Sequence, residues 1–156
     1  MDVELTRAQK GDKMKVVINR CPGGFGLSRK AIHAYLKRKG KDCFFYTTDP
    51  EKRREGKSVF IRASDEEGSI YGYTLTKDYG DVVAGKEQNF KQKDFFRDNQ
   101  ISRDDPDLIA VVEELGKDAN GECAKLKIIE IPDGIEWEIG EFNGDESVEE
   151  THRSWR

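Results

Sequence analysis

The chain has 156 residues, of which 35% are hydrophobic and 37% are Asp, Glu, Lys or Arg. This length fits one domain. No stretch reaches the roughly 20 apolar residues that span a bilayer, and the polar start lacks the apolar core of a signal peptide. We therefore expect a cytoplasmic protein that makes no membrane contact, with an N-terminal tail over residues 1–13 and one domain over residues 14–156.

The net charge of -4 conceals a strong asymmetry along the chain. Residues 1–42 carry 11 Lys or Arg against 4 Asp or Glu, whereas residues 104–156 carry 5 against 16. The acidic third would repel a nucleic-acid backbone, so we expect no long nucleic acid as a partner. The basic third is compatible with a local pocket for an anion.

Cysteine and histidine are too few and too scattered for a metal centre. The three cysteines, Cys21, Cys43 and Cys123, form no closely spaced pair, and the chain has 2 histidines. This pattern indicates reduced thiols and predicts neither a disulfide framework nor a zinc site. We expect no metal and no cofactor.

The first third of the chain predicts a strand, a glycine-rich turn, a helix and a second strand. The β-branched run in residues 13–21 indicates the first strand. Ser28 is a suitable cap for a helix that ends near Lys39, with Gly40 as its stop signal. Residues 42–47 indicate the next strand, and this order predicts a right-handed crossover with a parallel strand pair.

The middle of the chain is less regular. Residues 51–56 indicate a charged loop, while residues 58–63 and 69–76 alternate as an antiparallel pair does. Residues 77–103 lose any period, and long irregular segments are often functional. We expect a partly helical excursion there, contributing to a pocket rim or to a subunit contact.

The last third predicts a helix, a hairpin and a short closing helix. Asp105 and Pro106 are typical first residues of a helix, and Gly116 ends its apolar stripe. Residues 123–131 and 135–142 indicate a hairpin, and residues 145–156 a closing helix with acids first and arginines last. Together the elements predict an α+β fold, with a mixed, mostly antiparallel sheet of about six strands, two main helices and a short C-terminal helix.

The glycine-rich segment after the first strand is the first candidate site. Glycines let the backbone turn tightly, and amides at the next helix start can bind an anion. The dinucleotide-binding pattern fails, because Arg29 stands where its third glycine belongs. An alternative is that the glycines only permit a tight turn with Phe25 plugging the core. The candidate residues in this segment are Arg20, Gly24, Phe25, Gly26, Leu27, Ser28 and Arg29.

The tail is the second candidate site, because guanidinium groups bind phosphate and an indole offers a stacking surface. The alternative is that Trp155 packs in the core while the arginines balance nearby acids. The candidate residues here are His152, Arg153, Trp155 and Arg156, joined by Phe142 and Asn143 at the end of the predicted hairpin.

No residue pattern indicates catalysis. The hairpin acids Glu130, Asp133, Glu136, Glu138 and Glu141 alternate with apolar residues, as on a solvated face. His33 lies between basic residues and fits a surface position, and no Ser, Cys or Thr has a base nearby in sequence. We therefore expect a binding protein and no catalytic residues.

Two stretches together resemble a family of small bacteriophage proteins. They are residues 16–28, with the run Gly23-Gly24-Phe25-Gly26-Leu27-Ser28, and the series of 105–116, 131–134 and 152–155. The match leaves residues 51–100 uncovered. The family it resembles is the first type of Thoeris anti-defence protein.

This resemblance implies a non-catalytic sponge that sequesters cyclic ADP-ribose isomers made by bacterial TIR-domain immune proteins. Some such sponges also hold cyclic oligonucleotides made by cGAS-like enzymes. The resemblance further implies a homo-oligomer, a dimer or a larger assembly such as a hexamer, acting in the infected cell. Two other functions stay open: a nucleotide-degrading enzyme, and an acidic inhibitor that binds a bacterial defence protein directly.

Overall fold

A computed structural model of the chain describes residues 13–63, 72–85, 90–150 and 153–156, with the backbone alone at Arg153. Within these residues there are three α-helices, Arg29–Arg38 (α1), Pro50–Arg54 (α2) and Pro106–Leu115 (α3). The strands are Lys13–Asn19 (β1), Phe44–Thr48 (β2), Val59–Ala63 (β3), Gly72–Leu75 (β4), Val82–Ala84 (β5), Phe95–Phe96 (β6), Leu126–Pro132 (β7), Glu138–Phe142 (β8), Asp145–Glu150 (β9) and Arg153–Trp155 (β10). The predicted α+β class is confirmed.

Contacts divide the chain into two units, Met1–Ala31 with Asn99–Arg156, and Ile32–Asp98. We call them the first unit and the second unit. The expectation of one domain over residues 14–156 stays a prediction.

The first unit contains two antiparallel sheets. β1 pairs with β7 over its whole length, with Val17 opposite Ile128. β9 lies between β8 and β10 in a three-stranded sheet. Alternate residues of a strand point to one face, and those of β1, β7 and β9 meet in a common core. The core residues are Val16, Ile18, Ile129, Ile131 and Val148.

Helix α3 begins and ends where the sequence predicts. The Asp105 carboxylate accepts a hydrogen bond from the Asp107 amide, and Pro106 needs no amide partner at the first helical position. The buried residues of α3 are Leu108, Val111 and Val112. Gly116 ends the helix at φ 56°. Leu108, Val111 and Val112 are spaced three and four residues apart, which places their side chains on one face of the helix.

The second unit is a five-stranded antiparallel sheet in the order β5-β3-β2-β4-β6. An aromatic cluster covers it, with the buried ring of Phe90 near its centre. Phe90 lies 5.0–6.4 Å, centroid to centroid, from the rings of Tyr46, Phe60, Tyr73, Tyr79 and Phe95. The region that lacks a sequence period therefore supplies the centre of this unit's core.

Several predicted connections are wrong. β1 and β2 belong to different sheets, and both pair antiparallel with other strands, so the predicted parallel pair does not form. β3 and β4 each pair with β2 rather than with each other, and their predicted turn lies outside the described residues. β7 pairs with β1, while β8 pairs with β9. Strand pairing follows the burial of apolar faces, since β1 and β7 bury theirs in one core, while β2, β3 and β4 bury theirs in another.

Three local predictions also differ from the structure. Residues 50–54 form helix α2 rather than a loop, because Asp49 caps it and Pro50 suits its first turn. Residues 77–103 hold β5, β6 and two 3₁₀ turns, Gln92–Asp94 and Asp98–Gln100, and no α-helix in their described part. The predicted closing helix over residues 145–156 is wrong, since β9 and β10 are found there.

Candidate functional site

The glycine-rich loop, residues 23–28, starts helix α1 through Ser28. The Ser28 hydroxyl accepts a hydrogen bond from the Ala31 amide at 3.1 Å and donates one to the Asp118 carbonyl at 2.6 Å. The Ser28 amide donates to the Ala119 carbonyl at 2.9 Å. Ser28 is thus the predicted cap, and two amides near the helix start already have partners within the protein.

A two-residue hairpin turn joins β8 to β9 at Asn143 and Gly144. Asn143 has φ 53° and Gly144 φ 88°, the positive values that an Asn-Gly turn of this kind needs. The Gly144 amide donates to the Glu141 carboxylate at 3.0 Å. Phe142, just before the turn, is 74% exposed. We call residues 142–145 the hairpin tip.

The glycine-rich loop lies directly on the hairpin tip. The Gly23 amide donates to the Asn143 carbonyl at 3.1 Å. A Cβ atom added at Gly144 would lie 2.3 Å from the Gly24 nitrogen, far inside van der Waals contact. Only glycine at position 144 permits this approach. Loop and tip therefore form one surface, which we call the loop–tip surface.

The buried side chain of Asn19 links the hairpin tip to the chain before the glycine-rich loop by hydrogen bonds. Its side-chain nitrogen donates to the carbonyls of Cys21 and Gly144, both at 2.7 Å. Its side-chain oxygen accepts from the Lys125 amide at 2.8 Å. An amide side chain can donate twice and accept at the same time. Asn19 therefore sets the position of the hairpin tip relative to the chain that leads into the loop.

An ion pair in the interior supports the same surface. The Arg103 guanidinium donates two hydrogen bonds to the Glu146 carboxylate, at 2.6 and 2.9 Å. The side chains are only 18% and 8% exposed. The Glu146 carboxylate also accepts a hydrogen bond from the backbone amide of Asn19 at 2.8 Å. The Arg103 guanidinium carbon lies 3.6 Å from the centre of the Phe25 ring, a close cation–π contact that holds this loop residue.

Arg20 is more exposed than Arg103, the other arginine near the loop–tip surface. Its Nη1 lies 2.8 Å from the Asp145 Oδ1 and donates to the Glu146 carbonyl at 3.0 Å. The two side chains are 28% and 30% exposed. Arg20 thus pairs with Asp145 and Arg103 with Glu146, so the formal charges of the four side chains cancel.

Five of the sequence-predicted ligand residues meet at this surface: Arg20, Gly24, Phe25, Phe142 and Asn143. Gly26, Leu27, Ser28 and Arg29 continue the loop into α1. The Gly26 carbonyl accepts the Gly121 amide, and Leu27 is buried and forms a β-bridge with Asn120. Gly23 and Gly24 have φ 125° and 102°, as the tight-turn interpretation expects.

Of the tail candidates, Arg153 and Trp155 lie in strand β10 and Arg156 follows it. Trp155 lies opposite Val148 and packs against the core of the first unit, in keeping with the packing interpretation. The Arg156 carbonyl accepts from the Lys127 ammonium at 3.2 Å. Arg153 lies opposite Glu150 in the strand register. His152 lies outside the described residues.

Sequence reasoning missed two residues of the hairpin tip, Gly144 and Asp145, and three that support the surface, Asn19, Arg103 and Glu146. The Asn143-Gly144 pair was the available signal for the turn, since this dipeptide between strands is typical of a hairpin. No local signal could have paired Arg103 with Glu146, which lie 43 positions apart.

A second feature of the first unit is an acidic pocket of about 260 Å³, lined by Glu136, Trp137, Glu138, Glu149 and Glu150. Glu138 and Glu149 stand directly opposite each other in the β8–β9 register. Like charges in that position disfavour strand pairing. The predicted solvated acidic face thus includes a concave part with an aromatic wall.

Among the residues described, no group of three or more His, Cys, Asp or Glu side chains is arranged to hold a metal ion. In that same part of the chain, no helix is long and apolar enough to cross a membrane.

No family model, curated protein or solved structure matches this chain. Its function is therefore inferred from the geometry of the loop–tip surface.

Proposed function

We propose that this chain is a phage anti-defence protein that binds cyclic nucleotide immune signals and holds them without cleaving them. The ligands are cyclic ADP-ribose isomers made by TIR-domain proteins and, at a further site, cyclic oligonucleotides. The protein would act as a homo-oligomer in the cytoplasm of the infected bacterium.

One observation supports the proposal most directly. The exposed Phe142 ring lies on the hairpin tip, and Asp145 of the same tip forms an ion pair with Arg20. A cyclic nucleotide presents phosphate groups and flat bases. Guanidinium groups bind phosphate in a two-pronged geometry, and stacking of a base on an aromatic side chain contributes about 1–3 kcal/mol. In the described part of the chain, Phe142 and Val82 are the large hydrophobic side chains left exposed.

The glycine-rich loop supports the proposal by its shape. An added Cβ at Gly24 would meet no atom within 4 Å, so the loop is open on that side. A phosphate can approach the backbone closely only where no side chain intervenes. Gly24 thus leaves room for an anion on the open side of the loop.

Sequestration is a matter of mass action and needs no reactive side chain. The protein must outnumber the signal molecules and release them slowly, so the complex must be tight and long-lived. The rigid support of Asn19, Arg103 and Glu146 favours this, because a surface that is ordered before binding loses little entropy on binding.

The decisive experiment is recovery of the ligand. Purified protein is incubated with cyclic ADP-ribose isomers, freed of unbound nucleotide and denatured, and the released molecules are identified by mass spectrometry. We expect unchanged cyclic ADP-ribose, and a Phe142→Ser variant that retains much less. Recovery of linear ADP-ribose would support the nucleotide-degrading enzyme instead, and a protein that retains nothing would refute the proposal.

The acidic pocket favours a second candidate, an inhibitor that binds a basic surface of a bacterial defence protein. A cation between the opposed Glu138 and Glu149 carboxylates would relieve the repulsion between them. The Trp137 ring can also bind a cation by cation–π contact. The test is capture of a host protein that weakens as salt rises. A Glu138→Gln/Glu149→Gln variant should lose that partner, while the control Glu113→Gln/Glu114→Gln on helix α3 keeps it. Equal capture by both variants would exclude the pocket.

A further inference from the structure

Two arginine–carboxylate pairs lie beneath the loop–tip surface, and they differ in how firmly they are held. Arg103 and Glu146 share two hydrogen bonds and are largely buried. Arg20 and Asp145 approach to 2.8 Å between Nη1 and Oδ1, yet the Asp145 Oδ1 is buried and accepts no hydrogen bond. The second pair is therefore an ion pair without directional bonding.

The Arg20–Asp145 pair is also more exposed than the Arg103–Glu146 pair. The Arg20 and Asp145 side chains are 28% and 30% exposed, so their outer atoms are open to solvent while the Asp145 Oδ1 is buried between them. The same Nη1 of Arg20 also donates a hydrogen bond to the Glu146 carbonyl, an acceptor that does not depend on Asp145. If Asp145 turned away, the guanidinium would remain in place and could bind another anion.

We propose that Asp145 is a specificity-determining residue, a carboxylate that occupies the phosphate position on Arg20 and must be displaced by the ligand. This inference rests on the proposed function of the loop–tip surface and adds a rule of selection to it. An oxygen of a phosphate is a better acceptor for a guanidinium than a carboxylate oxygen that lacks hydrogen-bond geometry.

The exchange has a consequence for selectivity. Until it moves, the Asp145 carboxylate repels any approaching anion, since like charges in a partly buried site interact strongly. Inorganic phosphate offers only the charge and gains little in return. A cyclic ADP-ribose isomer also offers a base for Phe142, and that contact offsets the displacement. Asp145 therefore raises the discrimination between nucleotides and the phosphate abundant in the cell.

The experiment compares affinity for inorganic pyrophosphate and for cyclic ADP-ribose by calorimetry in the wild-type chain and in Asp145→Asn. The control Asp133→Asn makes the same change of charge at an exposed position in the turn between β7 and β8. We expect Asp145→Asn to bind pyrophosphate at least about tenfold more tightly than Asp133→Asn, and to bind cyclic ADP-ribose only a few-fold more tightly. The added change Arg20→Gln should abolish the gain.

The outcomes separate this inference from the proposed function. If the wild type binds cyclic ADP-ribose but Asp145→Asn binds pyrophosphate no better than Asp133→Asn, the role of Asp145 is refuted and the proposed function stands. If the wild type binds no nucleotide, yet Asp145→Asn gains pyrophosphate binding through Arg20, the role of Asp145 stands and the proposed function fails. No binding by any variant refutes both. Asp145→Ser removes the same charge and replaces Asp145→Asn if the latter does not fold.

Discussion

Replacing Glu146 by glutamine removes a negative charge from the interior that supports the loop–tip surface while keeping the shape of the side chain. Arg103 then remains largely buried without a counter-ion. Breaking a buried ion pair in this way typically costs about 3–5 kcal/mol. We expect a loss of about 3 kcal/mol, at the lower end, because glutamine still accepts the Asn19 amide and one hydrogen bond from Arg103.

The measurement is the free energy of unfolding in urea. For a chain of this size, a slope of about 1–3 kcal/mol per molar urea converts this loss into a fall of the midpoint by about 1 M or more. Glu146→Ala should lose a further ~1–3 kcal/mol, because the Asn19 amide is then buried without an acceptor.

The matched control is Glu113→Gln, which breaks the exposed ion pair with Lys15. Exposed pairs contribute about 0–1 kcal/mol, so this variant should unfold close to the wild type. If Glu146→Gln and Glu113→Gln shift the midpoint equally, the Arg103–Glu146 pair does not hold the loop–tip surface as described.

Three further predictions concern separate features. Gly144→Ala should lower stability by more than ~2 kcal/mol in thermal unfolding, since it adds a steric clash to the strain of a positive φ; Gly134→Ala, with a similar φ and open space, should lose only the strain, and equal losses would contradict the close packing. Burial, followed by the hydrogen bond to Asp94, raises the pKa of Tyr79. Because an unfolded tyrosine ionises near pH 10, stability should be complete below about that pH and fall as the pH rises toward the folded pKa; ultraviolet titration follows the ionisation, and Tyr79→Phe should flatten the decline. Phe142→Ser should leave the unfolding free energy within about 0.5 kcal/mol of the wild type, because the ring is exposed. A larger loss would mean that the Phe142 ring packs against the protein and is not available to a ligand.

The sequence predicted the elements whose signals are local. Helix α3 follows from Asp105, Pro106 and Gly116, and helix α1 from Ser28, since each cap bonds to amides a few residues away. The first strand follows from its β-branched run. Such interactions are complete within one turn of the chain, so they do not depend on the rest of the fold.

The closing helix shows where local signals are ambiguous. Val148 and Trp155 are seven residues apart, which places them on one face of a helix and equally opposite each other in a hairpin. The buried core around Val148 decides between the two, because a strand in the sheet beside β8 buries Val148 completely and lets Trp155 pack against that core. The helix dipole depends on charges near the two ends of a helix and carries no information about that core.

The chain order of residues by itself determined the α+β class, the boundaries of helices α1 and α3, the glycine-rich turn and the separation of charge along the chain. Tertiary structure alone decided which strands pair, and which distant charges neutralise each other. Asn19, Arg103 and Glu146 carry no local mark, because their hydrogen bonds form only after β1, β9 and the chain before α3 have been brought together. Contacts between distant positions depend on the burial of whole faces, and neighbouring residues do not encode them.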